Sequence, residues 1–392
     1  MQSADARKSR SRVVWGSLLA SGLLLVLAGC GTTATPATPA PQQGTSGTPV
    51  NLNVGYFPSW EGGLSGVIVK KEGLWKKFLP AGSTVHWDTQ VVGPPLVANL
   101  LANKDQLAYI GDLPAYVATA KRSIADLRIV ENNLFSPTGQ MCSILVVRAN
   151  APHFSNYQQA VRWLNGKNIG VSGKGSCGDR FVTSIMKKEH IHANVEYLDP
   201  TIILTELKSG KIDAAQTFEP HVAQIVAQGV GRVVATGNDF NEHDGDFIVM
   251  RKDFITQHPA AALGWVEADL TALQFIRQHP YRTVRDLATQ LPGYTPKELW
   301  MAIYGRLPAA SGASNVNTVA QGTFTTPAVE NFTQKSFQFL YSEKILPISR
   351  PLPGAMYPNL VQEAAKKLGI TLPLGPLPSY PLSAFNPAKA GS

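Results

Sequence analysis

The stretch Val50-Asn51-Leu52-Asn53-Val54-Gly55-Tyr56 alternates apolar with polar side chains and closes on glycine and tyrosine, the period-two signature of a strand that runs into a turn. Residues 64–78 follow with apolar side chains at helical spacing, and 85–92 is again rich in β-formers. The same alternation continues outward: 95–103 and 114–122 read as helices, 107–110 and 127–130 as strands. Strand and helix in regular alternation predict parallel strands covered by helices. After the turn-rich Ser136-Pro137-Thr138-Gly139-Gln140, the apolar run 143–148 reads as a crossing into a second domain. A second set begins there, with strands at 168–172, 195–198 and 212–217 and helices at 178–190 and 201–209. Residues 247–251 repeat the flavour of 143–148 and read as the return crossing. The pattern from 254 to about 346 is helical. The Pro-rich tail from 347 is expected to wrap over the surface, apart from one helix near 360–368.

The chain has 392 residues, 44% hydrophobic and 16% charged, with a formal charge of +8. Such a chain can bury two ample cores and is too poor in charge for a long coiled coil. Arg7, Lys8, Arg10 and Arg12 against Asp5 carry +3 of that charge near the N-terminus, which leaves +5 for the remainder. Beyond Arg12 no run of basic residues exceeds two, so a phosphate-tracking surface is not expected and nucleic acid is set aside as a partner.

The N-terminus carries a specific signal. A basic segment precedes an apolar stretch, 13–27, too short and wrongly flanked for a spanning helix, and it ends in Leu27-Ala28-Gly29-Cys30. This resembles a bacterial lipobox, in which the cysteine receives a lipid and becomes the first residue of the mature protein. Residues 31–48, rich in Thr, Pro, Ala and Gly, cannot bury a core and read as a flexible tether. The expected division is a lipoprotein signal at 1–29, a tether at 30–49, a first lobe at 50–141 resumed at 248–346, a second lobe at 142–247 and the extension 347–392. The expected location is extracytoplasmic, lipid-anchored to the membrane through Cys30.

An ordered series of short matches then points to a family. Val54-Gly55-Tyr56 ends the first strand, Gly73-Leu74-Trp75 closes the first helix, and Val85-His86-Trp87 precedes Gly93-Pro94-Pro95. Ile110-Gly111-Asp112-Leu113-Pro114, Asn165-Gly166-Lys167-Asn168-Ile169 before Gly175-Ser176, and Leu207 through Ala214 ahead of Phe218-Glu219-Pro220 complete it. From about residue 50 to 345 the chain resembles solute-binding proteins of ABC importers of the nitrate, taurine and alkanesulfonate type. The resemblance implies a type II periplasmic-binding-protein fold, two α/β lobes joined by two hinge strands near 141–143 and 246–248, with the ligand gripped between them. It implies permease and ATPase subunits as partners, a monomer, no cofactor and no reaction catalysed.

In open α/β sheets ligands sit beyond the carboxyl ends of strands, where the quoted loops lie. Ser172-Gly173-Lys174-Gly175-Ser176-Cys177-Gly178 follows a strand and opens a helix, so free N–H groups, the helix dipole, the Ser176 hydroxyl and Lys174 can meet an anion. It could equally be a glycine-rich turn with Ser176 as a plain cap. Tyr56, Phe57, Trp60 and Glu61, with Phe218 and Glu219 from the other domain, suit the walls of a small-molecule cleft, or else core. Gly93, Pro94, Gly111 and Asp112 complete the expected ligand-binding set. Relatives usually place tryptophan where Phe218 stands. Acids at 61, 112 and 219, with His243, Asp244 and Asp246 nearby, would suit an amine, and an amine with an anion describes a taurine-like zwitterion.

Other readings stay open. A pyrimidine-type nutrient is an alternative ligand, and a cysteine-dependent enzyme could be built on Cys177, whose pKa a helix N-terminus would lower. The groups around Glu189, His190, His192 and Glu242, His243, Asp244 lack a known metal spacing, so no metal is expected. With Cys30 modified, Cys142 and Cys177 are the remaining thiols in an oxidising compartment, where pairs tend to join. Buried free thiols are the alternative.

Overall fold

A computed structural model describes residues 44–306, 319–320, 322 and 326–391. Cys30, the apolar leader and most of the tether lie outside these residues. The strands are β1 (Asn51–Tyr56), β2 (Thr84–Thr89), β3 (Leu107–Gly111), β4 (Leu127–Ser136), β5 (Ile144–Arg148), β6 (Asn168–Ser172), β7 (Asn194–Leu198), β8 (Ala214–Thr217), β9 (Gly231–Thr236) and β10 (Asp244–Arg251). They form two mixed sheets with helices packed on them. The first lobe orders its long strands β2-β1-β3-β10-β4, and β4 is followed by the two-residue pieces Val319–Ala320 and Gly375–Pro376. The second lobe is ordered β7-β6-β8-β5-β9.

The expectation of parallel sheets needs correction at one long strand in each. β10 is antiparallel to both β3 and β4, and β5 is antiparallel to both β8 and β9. Each of these two strands receives the chain directly from the other lobe, without the helical return that sets a neighbour parallel. The outgoing crossing is 137–143. The return crossing is 237–243, ahead of the expected position, because Asp244 already pairs with Ser136 and Phe247 with Ile110 in the first sheet. The second lobe therefore ends before 244 rather than at 247. β9 and the helix His221–Ala227 went unread in the sequence between 218 and 247.

The helix Pro259–Gln278 runs through the first lobe, with Trp265, Leu270 and Leu273 fully buried. Gly264 admits the close approach of the Phe78 carbonyl, which a Cβ there would meet at 2.2 Å. The tail does more than wrap the surface. The helix Asn359–Leu368 buries Leu360, Val361, Ala364 and Ala365 in the first-lobe core, and Tyr380 stacks on Trp300 with centroids 5.2 Å apart. Among the described residues no helix is long and apolar enough to cross a membrane.

Candidate ligand cleft between the lobes

A cavity of about 180 Å³ opens where the carboxyl ends of β1 and β3 face those of β6 and β8. From the first lobe, the loop after β1 supplies Phe57 and Trp60, and Val92, Gly93, Pro94, Gly111 and Pro114 complete that wall. From the second lobe come Ser172, Gly173, Lys174, Ser176, Cys177 and Phe218. Phe57 and Trp60 stack at 4.7 Å and 13°, and Phe218 meets Phe57 at 5.6 Å. Glycine is required beneath this wall: a Cβ on Gly111 would stand 3.1 Å from the Trp60 ring, and one on Gly93 would be 2.7 Å from Pro114. The walls are apolar, and Lys174 is the one charged side chain on this lining among the described residues.

The helix Cys177–Glu189 aims its N-terminus at the cavity. The Ser176 hydroxyl accepts from the Asp179 N–H at 3.2 Å and donates to the Gly173 carbonyl at 2.8 Å. Its hydrogen is therefore committed inside the turn, and Ser176 serves as a helix cap rather than a free donor. Asp179 accepts from the Gly175 N–H and from the Tyr197 hydroxyl, both at 2.8 Å. Anion-directed capacity rests on the N–H groups of Cys177 and Gly178, which as first helical residues have no intrahelical acceptor, and on Lys174. Cys142 and Cys177 are joined by a disulfide, with Cα atoms 6.1 Å apart. While that bridge is intact Cys177 presents no thiol for nucleophilic chemistry.

The acids do not come to the cavity. Tyr56, Glu61, Asp112 and Glu219 all lie outside the lining, although all four are in the expected set. Tyr56 packs edge-on against Trp87 and takes a bond from Lys70 at 2.9 Å. Glu61 is buried, and its N–H donates to the Glu219 carbonyl at 2.9 Å. The Glu219 carboxyl accepts from the Ala223 N–H at 2.9 Å, and burial pushes its pKa up to about 8. Asp112 is fully buried and ion-paired with Arg180 from the second lobe. Asp244 binds the N–H groups of Cys142 and Ser143 and the Ser143 hydroxyl, tying the two crossings together. His243 Nδ1 faces the Pro137 carbonyl, and Asp246 is buried in the sheet.

Two features went unread in the sequence. Arg180, 4% exposed, is one; its position in the first turn of a helix, where the dipole disfavours a cation, is the signal that marks it. The other is a carboxyl cluster behind the Trp60 wall. Glu131, Asp246 and Asp269 are fully buried there, with Tyr109 donating to Asp269 at 2.8 Å. Burial raises Glu131 and Asp246 well above the usual carboxyl range and Asp269 to about 6. A Cβ on Gly62 would come within 2.7 Å of Asp246, and Asn133 donates to the Gly62 carbonyl, so the cluster supports the loop carrying Trp60.

The model of the NMT1-like family matches residues 47–291, which spans β1 to β10 and every segment that lines the cavity. The chain belongs to the NMT1-like family. This NMT1-like chain is also similar to the nitrate import ATP-binding protein NrtC of Synechocystis, 33% identical over 104 residues, 26% of this chain and 15% of that protein. It is 22% identical over 228 residues to the putative binding protein YtlA of Bacillus subtilis, covering 56% of this chain and 64% of YtlA. The matched stretch thus spans less than two thirds of either relative. Among solved structures, the alkanesulfonate-binding protein SsuA of Xanthomonas axonopodis bound to MOPS superposes with a TM-score of 0.63 at 19% identity, covering 80% of this chain and all of SsuA. The desulfurization enzyme DszB superposes at 0.57 with 13% identity over 81% of this chain and all of DszB. The NMT1-like fold here is that of the periplasmic binding proteins, and the same fold is also found in an enzyme.

Proposed function

We propose that this protein is the solute-binding component of an ABC importer of the nitrate and sulfonate type, and that its ligand is a small organic anion with an apolar or aromatic body. The observation that carries this is the two-sided lining: stacked Phe57 and Trp60 with Phe218 on one side, Lys174 and the N-terminus of the Cys177 helix on the other. A cavity of about 180 Å³ matches a body of roughly benzene size, since apolar cavities near 150 Å³ hold benzene. An alkyl or aryl sulfonate satisfies both sides. The zwitterion loses support, because the acids that would hold its amine are committed elsewhere. Nitrate would leave the aromatic walls unfilled. The lining favours capture over catalysis: apart from Lys174 it has no titrating side chain, and the cysteine it contains is bridged.

Delivery to a membrane permease and anchoring through Cys30 belong to the same reading, and Cys30→Ser should release unlipidated protein or leave an uncleaved precursor. A thermal-shift panel of methanesulfonate, benzenesulfonate, MOPS, taurine, nitrate and an aminopyrimidine tests the ligand class. A ligand at a hundred times its dissociation constant stabilises by about 2.7 kcal/mol. Benzenesulfonate or another sulfonate is expected to give the largest shift, with taurine and nitrate below it. A panel in which no sulfonate shifts the midpoint, or in which the aminopyrimidine alone does, overturns the reading.

A further inference from the structure

We infer that Arg180 is a positioning residue that holds the anion-facing end of the Cys177 helix against the first lobe, so that the seat is formed before any ligand arrives. Arg180 belongs to the second lobe, yet its bonding partners come from the first lobe and the return crossing. Its Nη1 binds Asp112 and donates to the Ser336 hydroxyl at 3.0 Å, and Nη2 donates to the His243 carbonyl at 2.7 Å. Nε stands 3.3 Å from Glu242, Asp244 is 3.9 Å away, and the guanidinium lies over the Phe332 ring at 5.4 Å. Arg180 and Asp112 are 4% and 0% exposed.

The placement gives this pair its reach. Asp112 follows Gly111 and Arg180 stands one helical turn beyond Cys177, and both Gly111 and Cys177 line the cavity. The ion pair therefore joins the two walls that a ligand touches, from directly behind them. The disulfide fixes the same turn to the outgoing crossing at Cys142, and Arg180 fixes it to the return crossing and to Asp112. Held on both sides, the free N–H groups of Cys177 and Gly178 keep their direction in the empty protein. Such preorganisation lowers the ordering cost of binding. Lysine cannot replace arginine here, because one ammonium does not span Asp112, Ser336 and the His243 carbonyl in a fixed plane.

This inference rests on the functional reading above, and the experiment separates the two. Arg180→Lys keeps the charge, and Asp112→Asn, a second variant should the first not fold, keeps the shape of its partner. Hydrogen exchange of amides 179–181, which are bonded within the cap and first turn, is measured in the ligand-free full chain, and affinity is measured with benzenesulfonate. We expect these amides to be protected in the ligand-free wild type and to exchange at least tenfold faster in either variant. Affinity in the folded variants is expected to fall at least tenfold. Lys187→Ala, which breaks the exposed pair with Glu343 near the other end of the same helix, should leave both within twofold. Wild-type amides at 179–181 that exchange freely without ligand, or a folded variant that binds within twofold of wild type, overturn the inference. If the wild type does not bind benzenesulfonate at all, that probe fails the functional reading, and the ligand-free exchange rates alone decide the role of Arg180.

Discussion

Phe57 of the first lobe and Phe218 of the second meet across the cavity with ring centroids 5.6 Å apart. Each ring comes from a loop beyond the end of its own strand, so this contact is where the two sheets share an apolar wall. Truncating Phe218 to alanine removes the second-lobe part of that wall. Aromatic pairs contribute about 0.5–1.5 kcal/mol beyond the area they bury. Phe218→Ala should therefore weaken benzenesulfonate binding by about two- to twelvefold in calorimetry, with Phe218→Trp close to wild type. Equal binding by Phe218→Ala would show that the apolar body sits elsewhere.

Lys174 and Ser176 are two residues apart in the sequence but differ in what they have left to give. Lys174→Met removes the lining's charge, and a bond to a charged group contributes roughly 1.5–3 kcal/mol. Affinity for benzenesulfonate should fall about ten- to a hundredfold and lose most of its dependence on salt. Ser176→Ala removes a cap instead, costing about 1 kcal/mol of stability while affinity stays within about threefold. A large affinity loss in Ser176→Ala with none in Lys174→Met would reverse these assignments.

Protons should stabilise this protein. Glu219, Glu131, Asp246 and Asp269 all have carboxyls raised by burial, to about 8 for Glu219 and about 6 for Asp269. A raised pKa means that the folded chain holds protons the unfolded chain releases. Their contribution is complete below the ordinary carboxyl range and is lost as pH rises through the folded values. Each group costs about 1.4 kcal/mol per pH unit within its window. Buried His221, held down to about 4, works the other way below its ordinary range near 6.5, so urea unfolding at pH 7 and 8 should show falling stability, and Glu219→Gln should flatten the slope by up to one group's share. Stability that rises from pH 7 to 8 would contradict this account.

The Cys142–Cys177 bridge closes a loop of 35 residues, for which the chain-entropy model gives roughly 3–4 kcal/mol. Intact-mass analysis of a body beginning at residue 44 should find no alkylatable thiol without reductant and two with it. Two thiols free from the outset would remove the bridge from the account.

Much of the architecture was legible because it rests on local pattern. The alternation at 50–56, the apolar runs at 107–110 and 168–172, and Gly93, Pro94 and Gly111 at strand ends follow from short-range rules, and with Trp60, Ser176, Cys177 and Phe218 they meet on one cavity. The acids were misread because their fate is decided at long range. Asp112 beside a glycine looks like a solvated loop acid until Arg180, 68 residues later, is placed against it. Glu219 looks available until the turn of the His221–Ala227 helix closes over it and its carboxyl accepts from Ala223. The return crossing was set too late because 247–251 is the most apolar part of a strand whose polar beginning, Asp244-Gly245-Asp246, carries no strand signal of its own.

β10 lies between β3 and β4, in the middle of a sheet whose other long strands were laid down more than a hundred residues earlier. The second lobe, by contrast, takes all five of its strands from the unbroken span 144–236. In chain order the second lobe has every strand it needs before β10 appears, while β3 and β4 are still without the strand that separates them. The first lobe is thus the last to set, and a chain that stalls before residue 244 leaves the facing edges of β3 and β4 unpaired.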